Sequence, residues 1–155
     1  MEPITFYFDL GSPYAYLAAE RIDSLFKVPV IWKPILLGAL LKRFGAISWA
    51  FTPGKEANIR EIRKRLSQYG LPQIIWPPSW PANYLTAMRA ATVAQGIGKT
   101  REFALTAYRL AFVEGKDLSL TENVLEVVHR AGLDVEFFRK KIQSQEIKEV
   151  LRLAT

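Results

Sequence analysis

The 155-residue chain predicts an α/β fold that opens with a β-α-β unit over residues 4–34 and continues as a large helical segment over residues 35–155. Two observations predict it. Two short runs of β-branched and aromatic residues, 4–9 and 28–34, flank a stretch that carries helix-start signals. From residue 56 onward the apolar side chains recur at i, i+3, i+4 and i+7, the spacing of one helix face. A strand, a helix and a strand in succession imply two parallel strands with a right-handed crossover.

The bulk numbers fit one domain over residues 1–155. Half of the residues are hydrophobic, including 4 Trp, 6 Tyr and 9 Phe, which is enough to bury a core and excludes a disordered chain. Cys is absent, so disulfides, thiolate metal sites and dithiol redox chemistry within the chain are excluded. Any thiol has to come from a ligand. No apolar run reaches the ~18 residues of a membrane span, and no basic stretch followed by an apolar one marks a signal peptide. A cytoplasmic protein with no membrane partner is expected. The net charge is +6. Much of it lies in Arg60, Arg63, Lys64 and Arg65 and in Arg139, Lys140 and Lys141, runs that read as solvated helix faces. No nucleic-acid motif accompanies them, so no nucleic-acid partner is expected.

In chain order, residues 4–9 form the first strand, ended by Gly11. Ser12 then suits an N-cap and Pro13 the first helical position, where its missing N–H costs nothing. The helix runs to about residue 26. Ser12 therefore lies at the carboxyl end of a strand and the amino end of a helix, where unpaired backbone N–H groups favour an anion. A Ser-Pro pair that opens a helix is in most proteins only a cap. Residues 28–34, bracketed by Pro29 and Pro34, form the second strand. Residues 35–45 form a short apolar helix, and 51–57 a turn. Residues 56–69 form an amphipathic helix, with Ile59, Ile62, Leu66 and Tyr69 on one stripe and Gly70 as its stop. Residues 71–81 hold Pro72, Pro77, Pro78 and Pro81, which forbid a regular helix or central strand. Trp76 and Trp80 in this loop suit the wall of an aromatic pocket, or simply its anchoring. Asn83 is a natural N-cap for a helix to about residue 95.

The rest reads as helix. Thr100 caps a helix to Glu114, ended by Gly115. Ser119 to Glu122 reads as a capping box. The helix behind it aligns Val124, Val127, Val128 and Ala131 and ends at Gly132. Asp134 caps the next, and a last helix begins near Gln145. The one histidine, His129, offers too little for a metal site, and no metal is expected.

The run FYFDLGSPYAYLA, residues 6–18, closely resembles the opening of the 2-hydroxychromene-2-carboxylate isomerases and of their relatives, the kappa-class glutathione transferases. These are thioredoxin-like proteins of the DsbA type with a large helical insertion. Residues 34–45 look like the family's P-x-L-L-G-x-x-x-K-x-x-G signature. Residues 70–83 look like its Pro-rich loop, and Asn83 with Arg89 match its P-x-N-[TS]-x-x-A-x-R-A segment. The resemblance implies that glutathione is the cofactor and that Ser12, followed by Pro13, holds its sulfur as a thiolate. Ser12 is then the catalytic residue. Tyr14, Trp76, Trp80, Asn83 and Arg89 become candidates for contacts with the substrate. The sequence departs from the family at Ala46, where an Asn that helps bind glutathione is usual. Ser48 is the polar side chain offered in its place.

The resemblance covers residues 4–155. The family continues past this point into a loop with a cis-Pro, two further strands and a final helix. It therefore implies a C-terminally truncated form of the fold, with reduced glutathione affinity, and a homodimer as one way to cover the sheet. The activity implied is a glutathione-dependent isomerisation, of cis-trans or ring-opening type, acting on an unsaturated aromatic pyruvate in the degradation of aromatic compounds. The alternatives are a kappa-class-like glutathione transferase and a non-catalytic DsbA-like binding module.

Overall fold

Two parallel strands and a helical body make up the computed structural model, which describes residues 2–155. Strand β1 (Ile4–Phe8) pairs with β2 (Val30–Pro34) in register from Ile4 opposite Val30 to Phe8 opposite Pro34. The helix expected between them is two helices, α1 (Pro13–Ala19) and α2 (Ile22–Leu25). The break has a local cause. Arg21 N–H donates to Ala18 O rather than one residue further back, which tightens the last turn and ends α1. Glu20, at the break, is held by a two-pronged contact from Arg109, at 2.8 and 2.9 Å.

After β2 come α3 (Leu37–Arg43), a single 3₁₀ turn (Trp49–Phe51) and α4 (Lys55–Gln68). The Pro-rich loop carries a cis peptide bond at Trp80–Pro81. Then follow α5 (Leu85–Gly96), α6 (Thr100–Phe112), α7 (Thr121–Arg130), α8 (Val135–Ile142) and α9 (Gln145–Ala154). Gly70 and Gly132 take positive φ just past α4 and α7, the backbone a helix stop of this kind needs. Asp134 and Ser144 cap α8 and α9 by accepting the N–H groups of Phe137 and Ile147.

Three expected caps lie elsewhere. Tyr84, not Asn83, is the N-cap of α5, and Asn83 Oδ1 accepts the Leu85 N–H in a local turn. Thr100 is the first residue of α6, behind Lys99. At α7 the N-cap is Leu120, so no capping box forms. Asp117 takes over, accepting the Ser119 N–H on its carboxylate and the Asn123 side chain on its carbonyl. Helices α5 and α6 start without a side-chain cap, and at α7 Asp117 supplies the local contacts in place of the box that spacing suggested.

Helix α5 is the axis of the body. Its Ala87, Met88, Ala90, Ala91 and Ala94 are fully buried, and the small residues let β2, α6, α8 and α9 approach closely. Phe8 and Trp32 are buried from the sheet on the same side, with ring centroids 5.8 Å apart. Each such side chain contributes ~1.5–3 kcal/mol on burial. The opposite face of the sheet is open among the described residues: Tyr7 is 55% and Ile31 42% exposed. The basic runs of α4 and α8 face solvent almost throughout.

Candidate functional site

The turn from β1 into α1 is built by Asp9. Its Oδ1 accepts the Gly11 N–H at 2.8 Å, which closes the turn locally. Its Oδ2 accepts the Leu37 N–H at 2.8 Å, which ties the turn to the start of α3. The Asp9 carbonyl accepts both the Ser12 N–H and the buried Tyr108 hydroxyl. One buried residue thus fixes both walls of the space in front of Ser12. Burial holds the Asp9 carboxyl above its ordinary value, although the Gly11 and Leu37 amides pull the other way.

Ser12 Oγ accepts the Ala15 N–H at 3.2 Å and so caps α1. The first turn offers fewer free amides than its sequence suggests. Gly11, Ser12 and Ala15 N–H groups are all used, and Pro13 has none. The Tyr14 N–H remains without a partner among the described residues. What Ser12 still has to give is its hydroxyl proton, since its oxygen already serves as acceptor.

A cavity of about 440 Å³ opens at this turn. It falls within the ~300–1,000 Å³ usual for small-molecule sites. Ser12, Pro13, Ser48, Trp80 and Asn83 all line it, five of the residues singled out from sequence. Ser48 Oγ accepts the Ala50 N–H and starts the 3₁₀ turn that brings Trp49 to the wall. Trp80 Nε1 donates to the Gly11 carbonyl at 2.9 Å, so the Pro-rich loop is latched to the Ser12 turn. An aromatic row continues behind it. Tyr14 packs edge-on to Trp49 at 5.8 Å, Trp49 lies 5.4 Å from Trp80, and Trp80 lies 4.6 Å from Trp76.

Three predicted residues do not line this cavity. Tyr14 turns its hydroxyl to Asn58 Oδ1 at 2.7 Å. Trp76 supports Trp80 from behind. Arg89 lines a neighbouring cavity. Sequence reasoning missed Asp9, Trp49 and Tyr84. Gly11 belongs with them, because a Cβ there would overlap the Tyr84 ring. The one available signal was Asp9 two residues before Gly11 in a strand-to-helix turn.

A family model for the DSBA-like thioredoxin domain matches residues 3–155. The chain belongs to the DSBA-like thioredoxin domain family. The two parallel strands joined through α1, with helices on one face, fit that assignment. This DSBA-like domain is 31% identical over 119 residues to glutathione S-transferase kappa 1 of Caenorhabditis elegans, a match spanning 71% of this chain and 52% of that protein. The chain thus spans about half the length of this curated relative. Among solved structures, a 2-hydroxychromene-2-carboxylate isomerase superposes with a TM-score of 0.87 at 19% identity, covering 99% of this chain and 77% of that one. A putative protein disulfide isomerase from Nitrosomonas europaea gives 0.73 at 16% identity, covering 99% and 76%. These two establish the likeness of fold.

The DSBA-like domain here has Ser12 at the helix start and no cysteine anywhere. No group of three His, Asp or Glu side chains that could hold a metal ion occurs among the described residues, and His129 is exposed and lines neither cavity. No helix among the described residues is long and apolar enough to cross a membrane.

Proposed function

We propose that the chain is a glutathione-dependent isomerase of the 2-hydroxychromene-2-carboxylate isomerase type, acting on an unsaturated aromatic pyruvate. The observation that carries this reading is the Ser12 hydroxyl. It lines a cavity walled by Trp49 and Trp80, and its proton is uncommitted while its oxygen caps α1. A chain without cysteine needs a thiol from outside, and this donor fits the sulfur end of glutathione.

When bound, glutathione would supply a thiolate nucleophile able to add reversibly to a conjugated double bond. The chain's own residues then have definable tasks. Ser12 donates its hydroxyl hydrogen bond to the sulfur and lowers the thiol pKa, as donors and helix starts do for cysteine. Pro13 and Ser48 complete that end of the cavity. Asp9 holds the Ser12 turn and α3 at a fixed separation. Trp49 and Trp80 enclose the aromatic ring and exclude water, with Trp76 as backing and Asn83 at the rim.

The test pairs calorimetry with turnover. Glutathione should bind at micromolar to millimolar strength, and Ser12→Ala should lower isomerisation by on the order of 10²–10³, as expected for loss of one donor to a developing or held charge. Full isomerase activity in Ser12→Ala would end this reading. A second reading, a kappa-class-like glutathione transferase acting on an electrophilic aromatic acceptor, is favoured by the 31% identity to a protein of that name. Conjugation of chlorodinitrobenzene without isomerisation would select it.

A further inference from the structure

Inside the Ser12 cavity most polar atoms are already spent. The Asp9 carboxylate accepts two amides, and Trp80 Nε1 donates to the Gly11 carbonyl. Tyr84 differs. It lines the cavity, and its ring edge lies so close to Gly11 that a Cβ there would overlap it. Its backbone is tied to the same turn. The Tyr84 carbonyl accepts the Met88 N–H at 2.9 Å, and Met88 Sδ in turn accepts the Leu10 N–H at 3.2 Å. The phenol ring is thus fixed beside the residue that precedes Ser12. Tyr14 and Tyr108 spend their hydroxyls on Asn58 Oδ1 and the Asp9 carbonyl. The Tyr84 hydroxyl donates to no acceptor among the described residues. Burial, with the Asp117 and Asp9 charges nearby, holds its proton above the usual phenol range, although the Ala82 amide pulls the other way. It therefore stays a neutral donor at physiological pH.

A 2-oxo acid with a conjugated double bond has a matching acceptor in its ketone oxygen. When a nucleophile adds to the far carbon of that double bond, the π pair moves toward the ketone and its oxygen takes up negative charge. The former double bond is then single and can turn. Departure of the nucleophile returns the pair and restores the double bond, with no net gain or loss of electrons or protons. A fixed donor at that oxygen is worth most while the charge is there. We propose that Tyr84 contacts the substrate through its hydroxyl, as the hydrogen-bond donor to the ketone oxygen of the 2-oxo acid. The proposal rests on the isomerase reading for the reaction, and on the Tyr84 geometry for the contact.

The test is Tyr84→Phe, which removes the hydroxyl and keeps the ring over Gly11. Calorimetry without glutathione compares two ligands, 4-phenyl-2-oxobut-3-enoate and 4-phenylbut-3-enoate, which differ only in a ketone against a methylene. The wild type should prefer the ketone by about fivefold, the worth of one neutral hydrogen bond. Tyr84→Phe should bind the two alike, and Ser12→Ala should keep the preference. In turnover, Tyr84→Phe should lower kcat by on the order of 10² and change KM far less. No ketone preference in the wild type, or an unchanged one in Tyr84→Phe, would overturn the proposal, and Ser12-dependent isomerisation in the same samples would leave the isomerase reading standing. A preference lost in Tyr84→Phe with no isomerisation by the wild type would support the contact and end that reading.

Discussion

The cavity at Ser12 and the cavity under α9 share a wall of three residues and differ in charge. The first has one acid, Asp9, and no cation among the residues lining it. The second has four cations and no acid. The difference teaches what each can select. At Ser12 an anion would be held by a hydroxyl and a short helix start, which suits a soft, weakly hydrated thiolate generated in place. Their construction differs as well. The Ser12 wall is cross-tied by Asp9 and Trp80, whereas Arg89 is left with an unused donor.

The sharpest way to break this comparison is Ser12→Ala. Activity should fall by on the order of 10²–10³, while loss of the cap should cost only ~1 kcal/mol of stability. Parallel loss of both in a melting experiment would make Ser12 merely structural. Next comes Gly11→Ala. A Cβ there would meet three atoms of the Tyr84 ring, and overpacking of this kind costs ~1–3 kcal/mol. Denaturant titration should show that loss, together with weaker glutathione binding.

Asp9→Asn tests the tie between the walls through pH. Burial holds Asp9 above its ordinary value of 3.8. The folded protein therefore binds this proton more readily than the unfolded chain does. The stability so contributed is present below 3.8 and is lost as pH rises through the folded-state value. Wild type should lose ground to Asp9→Asn over that rise in chemical denaturation, even though the variant forfeits one amide contact worth ~1–3 kcal/mol. Curves that stay parallel across that window would contradict the raised carboxyl. The smallest effect is expected from Trp80→Phe, which removes the latch to the Gly11 carbonyl. It should cost ~0.5–1.5 kcal/mol and raise KM more than it lowers kcat.

Local chemistry was legible in the sequence. The first strand, expected over 4–9 and found at Ile4–Phe8, and the caps at Ser12 and Asp134 each depend on a few neighbouring residues, and each appears where the sequence pattern put it. The caps expected at Asn83, Thr100 and Ser119 do not form; in each case the N-cap lies one residue away, on Tyr84, Lys99 and Leu120. Long-range relations were hidden altogether. Asp9 reaches Leu37, 28 residues on, and Trp49 meets Trp80 only after the Pro-rich loop has folded back. Arg89 matched a motif by position. The packing of α5 against α9 places it in the basic cavity instead of beside Ser12.

The most direct measurement is a pH titration of thiolate absorbance in a glutathione-saturated sample of wild type and of Ser12→Ala. A midpoint well below the ~8.5 of a free thiol is expected in the wild type, and a return toward that value in the variant. The same midpoint in both proteins would contradict a thiolate held by Ser12.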